Sequence, residues 1–226
     1  MTICAGIDAG SRAIKVALLD VGADKKSAAF ELPAEGNPAL GLRGARLLIS
    51  RPELLRGQAR ALVRASRVGP VHVMYPMIAD LEQFSRLRKL FDEASADLEA
   101  GRILHGVMFE VPGACMSADE LLEAADFASI GSNDLIQYLF AVDRNNERVA
   151  HDFRADREVF WRLLADLAAA ADRAGKPLSI CGELAADPEY TTRLMEIGIR
   201  SVSVSPRHIR GVRQAAANAA AERTVK

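Results

Sequence analysis

The sequence carries no excess of basic charge: 29 lysines and arginines stand against 30 acidic residues, for a net charge of −1. No broad basic surface is implied, so nucleic acid is not expected as a partner. There is no continuous apolar run long enough to span a bilayer, and no membrane partner is expected. The opening MTICAGIDAG lacks a basic start and a long apolar stretch, which argues against a secretory signal. Cysteine is scarce too: Cys4, Cys115 and Cys181 fit no CxxC or zinc-ligand spacing, and three cannot all pair with one another. A reduced, cytoplasmic setting is therefore expected. The four histidines, His72, His105, His151 and His208, share no ligand spacing, and no repeat or low-complexity segment interrupts the chain.

What is present suits a single sizeable core: 226 residues, 50% of them hydrophobic. Between Glu53 and Ala65, Leu54, Leu55, Leu62 and Ala65 are predicted on one helical face. From Asp80 onward, Leu81, Phe84, Leu87, Phe91, Ala94 and Leu98 recur every three or four residues, the mark of an amphipathic helix. Phe160, Leu163, Leu164, Leu167 and Ala171 outline another. Ser117 with Glu120 reads as a capping box, and Asp187–Pro188 as an N-cap followed by proline at the first helical position. The row Arg56, Arg60, Arg64 and Arg67 reads as a solvated helix face. Short apolar runs lie between the helices: VHVMY (71–75), ILHGVMF (103–109), DFASIG (126–131), LSICG (178–182) and SVSVS (201–205). Strand, loop and helix in steps of roughly thirty residues are the pattern of parallel β/α units, and several in succession suggest a barrel or a doubly wound sheet.

In a β/α barrel, reactive groups gather just past the carboxyl ends of the strands. Glu110 ends one predicted strand, Asn133 and Asp134 follow a second, Cys181 ends a third, and Arg43 and Arg144 lie in loops. Two carboxylates suit Mg²⁺, which takes oxygen ligands and completes its shell with substrate phosphate. Arginine binds phosphate and carboxylate through a planar fork. The combination points to a small, multiply anionic ligand. Each residue also has a plainer reading: Asp134 opens a helical-looking segment and could cap it, Arg144 could pair with Asp143, and Cys115 and Cys4 read as small hydrophobes.

Seven segments then carry a family resemblance. LDVGADK (19–25), LPAEGNPALGLRGARLL (32–48), RGQARALVRAS (56–66), VMYPMI (73–78), GVMFEVPGA (106–114), DFASIGSNDLIQYLFAVDRNN (126–146) and ICGELAADP (180–188) occur in the order of the phosphoenolpyruvate-utilising phosphotransferases. They most resemble the C-terminal domain of enzyme I of the sugar phosphotransferase system. That resemblance implies an α/β fold, a TIM-type (β/α) barrel, here incomplete or irregular at the N-terminal edge. It implies an atypical hairpin or strand over residues 1–17, the barrel over 18–213 and a tail over 214–226. Glu110 and Asp134 would hold Mg²⁺, Asn133 and Arg144 would contact the phosphate, and Arg43 would bind the substrate anion. Cys181 would protonate the methylene carbon as enolpyruvate becomes pyruvate. The implied partners are phosphoenolpyruvate or pyruvate, a phosphohistidine domain or carrier protein supplied in trans, and a second copy in a homodimer.

The chain departs from that pattern at Ala17, where the family has a substrate arginine, and in offering only sixteen residues for a first strand and helix. Residues 5–20, AGIDAGSRAIKVALLD, instead resemble the phosphate-binding hairpin of activator-type ATPases, with Ser11 at the turn. Two readings thus stand beside the phosphotransferase: a non-catalytic regulatory or interaction module derived from the barrel, and an activator-type ATPase. A pyruvate-aldolase-type barrel, which also pairs carboxylates with Mg²⁺, is a further enzyme alternative.

Overall fold

The computed structural model describes residues 3–5, 8–10, 13–15 and 35–224. Ser11, Ala17 and the segment 19–25 lie outside the described residues. The chain forms two compact units, residues 1–77 with 82–105, and residues 78–81 with 106–226.

In the first unit, strand β1 (Ile3–Ala5) pairs in parallel with a later strand, and β2 (Asp8–Gly10) pairs antiparallel with β3 (Ala13–Lys15). Helices α1 (Gly44–Ser50) and α2 (Pro52–Ser66) follow, split by Arg51 and the Pro52 that opens the second. Proline at that position loses no hydrogen bond, because the first N–H groups of a helix have no partner within it. The next strand, β4 (Val71–Tyr75), is β1's partner, with Ile3 opposite Val71. Helix α3 (Leu81–Ser95) buries Phe84, Leu87 and Phe91, the periodic face seen in the sequence. On α2 the buried face is Leu55, Ala59 and Val63, displaced from the expected Leu54, Leu62 and Ala65. Apolar residues there occupy adjacent positions, Leu54 beside Leu55 and Leu62 beside Val63, so periodicity alone fits either face. The arginine row is not uniformly solvated: Arg60 clasps the Asp97 carboxylate and the Ala94 carbonyl, and Arg67 reaches Glu99 at 3.2 Å.

Strand β5 (Ile103–Phe109) leads into the second unit, where β6 (Phe127–Gly131), β7 (Leu178–Cys181) and β8 (Val202–Ser203) continue the parallel ladder. Short helices α4 (Pro112–Met116) and α5 (Ala118–Ala124) connect β5 to β6. Ser117 occupies the N-cap of α5 but makes no side-chain cap bond, so the expected capping box does not form. Helix α6 (Ser132–Leu139) starts directly at the end of β6, and α7 (Glu158–Ala174), which packs against α5, buries Phe160, Trp161, Leu164 and Leu167. Gly175 ends α7 with a left-handed φ of 63°, which costs glycine nothing. After β7 come α8 (Glu183–Ala186) and α9 (Pro188–Glu196), the latter capped as the sequence predicts by Asp187, whose carboxylate accepts the Glu189 N–H at 2.9 Å. Helix α10 (Ile209–Thr224) closes the described chain.

Parallel strands each followed by helices make this an α/β fold of the TIM type. Its N-terminal edge is irregular: β1 is followed by the short antiparallel ladder of β2 and β3. Among the described residues no helix is long and apolar enough to cross a membrane.

Candidate functional site

Five of the six expected site residues lie in the second unit, each at or just beyond the carboxyl end of a strand or in the turn after α6. Parallel strands bring this about. With Gly131 opposite Cys181 and Phe109 opposite Ile130, the ends of β5, β6 and β7 are level, and whatever follows them emerges together.

Glu110 follows β5 and is only 4% exposed. Its carboxylate lies against Gly131: a Cβ added there would come 2.6 Å from Glu110 Oε2 and 2.9 Å from Glu110 Cβ. The absence of a side chain at Gly131 is therefore what admits the carboxylate. Asp134 sits in the first turn of α6, where the helix N-terminus favours negative charge. Gly131, not Asp134, is the N-cap, so the capping alternative does not account for this carboxylate. Its Oδ1 faces Arg144 Nη2 at 3.7 Å, an ion pair rather than a hydrogen bond. Arg144 thus meets an acid across the turn and not its neighbour Asp143, whose Oδ1 accepts the Asn145 N–H instead. The other terminal nitrogen of Arg144, Nη1, is buried with no hydrogen-bond partner. A buried guanidinium nitrogen left in that state is costly, and an anion in front of it would remove the cost.

Cys181 ends β7, half-buried, with its thiol donating to the Ile130 carbonyl at 3.5 Å. Burial pushes the thiol above its ordinary pKa, and the Glu110 charge pushes it further. A hydrogen bond from Ser129 opposes them, and Asp134 adds a last upward contribution. The group is consequently a protonated thiol at neutral pH, a proton donor rather than a nucleophile. Cys115, in α4, is more deeply buried, and burial above all holds its thiol at about 12.

Asn133 has a role that the sequence did not reveal. Its Oδ1 accepts the Glu183 backbone N–H at 3.1 Å, across 50 residues of chain. With the carbonyl oxygen so engaged, the side-chain NH₂ is the part able to meet an anion. Ser132 makes a matching tie, its hydroxyl donating to the Cys181 carbonyl at 2.7 Å. Gly182 lies between these two bonds with φ 97°, and a Cβ there would collide with Ser132 Oγ and Asn133 Oδ1. Gln137 is a further residue missed from sequence: its buried side chain accepts the Arg144 backbone N–H. Its only signal was a polar residue beside the apolar pair Leu135 and Ile136.

Arg43 belongs to the first unit. It precedes α1, in an extended conformation, beside Gly44. Gly44 has φ 52°, and a Cβ on it would strike the Met77 side chain. The Ala45 N–H donates to the Pro76 carbonyl at 3.2 Å. Arg43 is thereby held near the residues that follow β4, again at a carboxyl end.

Among the described residues no group of three or more His, Cys, Asp or Glu side chains is arranged to enclose a metal. Two carboxylates, Glu110 and Asp134, both act on one thiol.

The model of the PEP-utilising enzyme family, PEP-binding domain, matches residues 5–221. The chain is 40% identical over 203 residues to the multiphosphoryl transfer protein of Xanthomonas campestris, covering 89% of this chain and 24% of that protein. It is 41% identical over 198 residues to the phosphoenolpyruvate-protein phosphotransferase of Geobacillus stearothermophilus, covering 85% of this chain and 34% of that one. The Bacillus subtilis phosphotransferase is 38% identical over 200 residues. The chain thus spans a quarter to about a third of the length of these relatives. A citrate lyase from Burkholderia xenovorans superposes with a TM-score of 0.56, over 71% of this chain and 53% of that one, at 20% identity. That likeness concerns the α/β fold alone. Fold, seven segments in register and 217 consecutive matched residues agree: the chain belongs to the PEP-utilising enzyme family, as its PEP-binding domain.

Proposed function

We propose that this chain binds phosphoenolpyruvate and pyruvate and takes part in Mg²⁺-dependent phosphoryl transfer of the enzyme I type. The working part is the barrel over residues 18–213. The observation that carries the reading is the level ends of β5, β6 and β7, from which Glu110, Asp134 and Cys181 emerge, with the unpartnered Nη1 of Arg144 beside Asp134.

The donor set suits Mg²⁺ of the kind that is completed by substrate. One or two carboxylates are what that ion uses when phosphate oxygens and water fill the rest of its shell. Glu110 and Asp134 would hold the ion, which when bound would neutralise charge on the phosphoryl group. Arg144 and the Asn133 NH₂ would bind the phosphate oxygens, spreading the charge that develops as the phosphoryl group departs. Arg43 would take the substrate carboxylate. The phosphorus–oxygen bond to the enol oxygen breaks, and the phosphoryl group passes to a histidine of a phosphohistidine domain or carrier protein. Cys181 then gives its proton to the methylene carbon, which becomes the methyl of pyruvate. A thiol with raised proton affinity suits that step, because it arrives protonated. As in the resemblance, the working form is a homodimer.

Calorimetric titration with phosphoenolpyruvate and Mg²⁺ tests the reading. The chain should bind, and Arg144→Ala should weaken binding by about 10- to 150-fold, the range for a lost hydrogen bond to a charged group. A folded sample that binds nothing at millimolar ligand would overturn it. One observation favours a second reading, a non-catalytic module: Ala17 stands where the family has a substrate arginine. Exchange of the pyruvate methyl protons with solvent separates the two, since only a working acid–base group supports it.

A further inference from the structure

Gln137 lies two residues before the end of α6 and is 5% exposed. Its Oε1 accepts the Arg144 backbone N–H at 3.2 Å. Its main-chain carbonyl accepts the Val142 N–H at 2.9 Å. Between helix and arginine the chain turns through Ala141, whose φ of 52° is left-handed and costs a residue with a Cβ about 1–2 kcal/mol. Such a turn persists only where its neighbours are held. Beyond Arg144, the bonds from Asn145 to Asp143 Oδ1 and from Arg148 to Asn146 Oδ1 fold the segment on itself without reaching α6. Gln137 therefore ties both Val142 and Arg144 to the helix that carries Asp134.

We propose that Gln137 is a positioning residue for Arg144: its buried amide fixes the arginine backbone, and so the place where the guanidinium meets the substrate anion. This rests on the reading of Arg144 as an anion ligand. Glutamine has the chemistry the position needs. Its neutral oxygen accepts the N–H without adding a negative charge that would draw the guanidinium away from an incoming phosphate, as Asp134 already does at 3.7 Å. Arginine has a long, flexible stem, and a backbone displaced by about an ångström spoils the alignment of its fork with an anion.

The test is a double-mutant cycle, read as phosphoenolpyruvate affinity in the presence of Mg²⁺ on the full chain. Gln137→Met, which keeps the volume and removes the acceptor, should raise Kd about tenfold. Gln137→Glu, which keeps an acceptor oxygen but adds a negative charge near the guanidinium, should keep the Arg144 amide protected from exchange while leaving the affinity lowered. In an Arg144→Ala background, Gln137→Met should change Kd by less than about twofold, because there is no guanidinium left to position. The Arg144 amide should exchange its proton with solvent at least about tenfold faster in Gln137→Met than in the unaltered chain. Should Gln137→Met not fold, Gln137→Asn, polar but one methylene too short to reach, takes its place with the same expectations. Equal losses in both backgrounds, or unchanged affinity with only a lower melting temperature, would overturn the proposal. An unaltered chain that gives no binding heat would instead overturn the parent reading, and the proposal with it.

Discussion

In the first unit the buried Tyr75 hydroxyl lies 3.0 Å from His105 Nδ1, whereas in the second the buried Arg144 Nη1 has no hydrogen-bond partner. Both are polar groups withdrawn from water, and both carry the desolvation cost of that position. The first cost is met inside the protein. Burial raises the Tyr75 pKa, with Asp92 adding to the rise and Arg88 opposing it, so the phenol keeps its proton in its hydrogen bond with the imidazole. The two rings stack at 5.9 Å, and Phe84 and Phe91 meet them edge-on, Phe84 on Tyr75 and Phe91 on His105. The second cost is left standing, beside a carboxylate, in the same unit as a thiol that burial above all, and then the Glu110 charge, keeps protonated. A polar group that the fold satisfies is architecture. One that it leaves unsatisfied, among charges, is a place kept for something else.

Substitutions can break this contrast. The largest effect is expected at the thiol: Cys181→Ser should slow proton exchange at the pyruvate methyl by at least about 100-fold, the usual contribution of a positioned acid–base group. Phosphoenolpyruvate affinity should stay within about twofold, and methyl exchange followed by NMR in heavy water, beside calorimetry, checks both. Unimpaired exchange would remove Cys181 from the chemistry. Tyr75→Phe should cost about 1 kcal/mol of stability, the net worth of one hydrogen bond, and leave ligand affinity untouched. Urea unfolding reads the first and calorimetry the second; a Tyr75→Phe chain of normal stability but weakened binding would reverse the assignment of the two clusters. The smallest change is an electrostatic one. Glu110 raises the Cys181 pKa, so Glu110→Gln should lower it toward, though not to, the ordinary thiol range, because burial is the greater cause and remains. In the presence of a chelator, iodoacetamide should then alkylate Cys181 at a lower pH than in the unaltered chain. A pH profile that does not move, or moves upward, would show that Glu110 exerts no charge on the thiol.

How much of this was legible in the sequence differed between elements and contacts. VHVMY and ILHGVMF are strands over the very residues expected, because short apolar runs bounded by turns have few other uses. SVSVS shrank to two residues, Val202 and Ser203, since β8 is paired to β7 on one side only among the described residues. The face of α2 was misplaced because side-by-side apolar residues satisfy two helical phases at once. At the site, Glu110, Asp134 and Cys181 could be named because strand ends are visible as the last residue of an apolar run. Asn133 was expected on the phosphate; its carboxamide oxygen also accepts the Glu183 N–H, a bond spanning 50 positions that no local pattern encodes. Gln137 escaped notice for a different reason: a polar residue within a helix looks solvated until the turn that brings Arg144 back to it is known.

The bonds that close around Gly182 bear on what sequence variation this protein can tolerate. With Ser132 Oγ and Asn133 Oδ1 occupying the volume of any Cβ, and a left-handed φ besides, position 182 admits hydrogen and nothing larger. A saturation library at that codon, sorted only for folded protein, should return glycine almost alone. The filter would act before selection for catalysis began, and it would hold whichever reaction the neighbouring thiol performs.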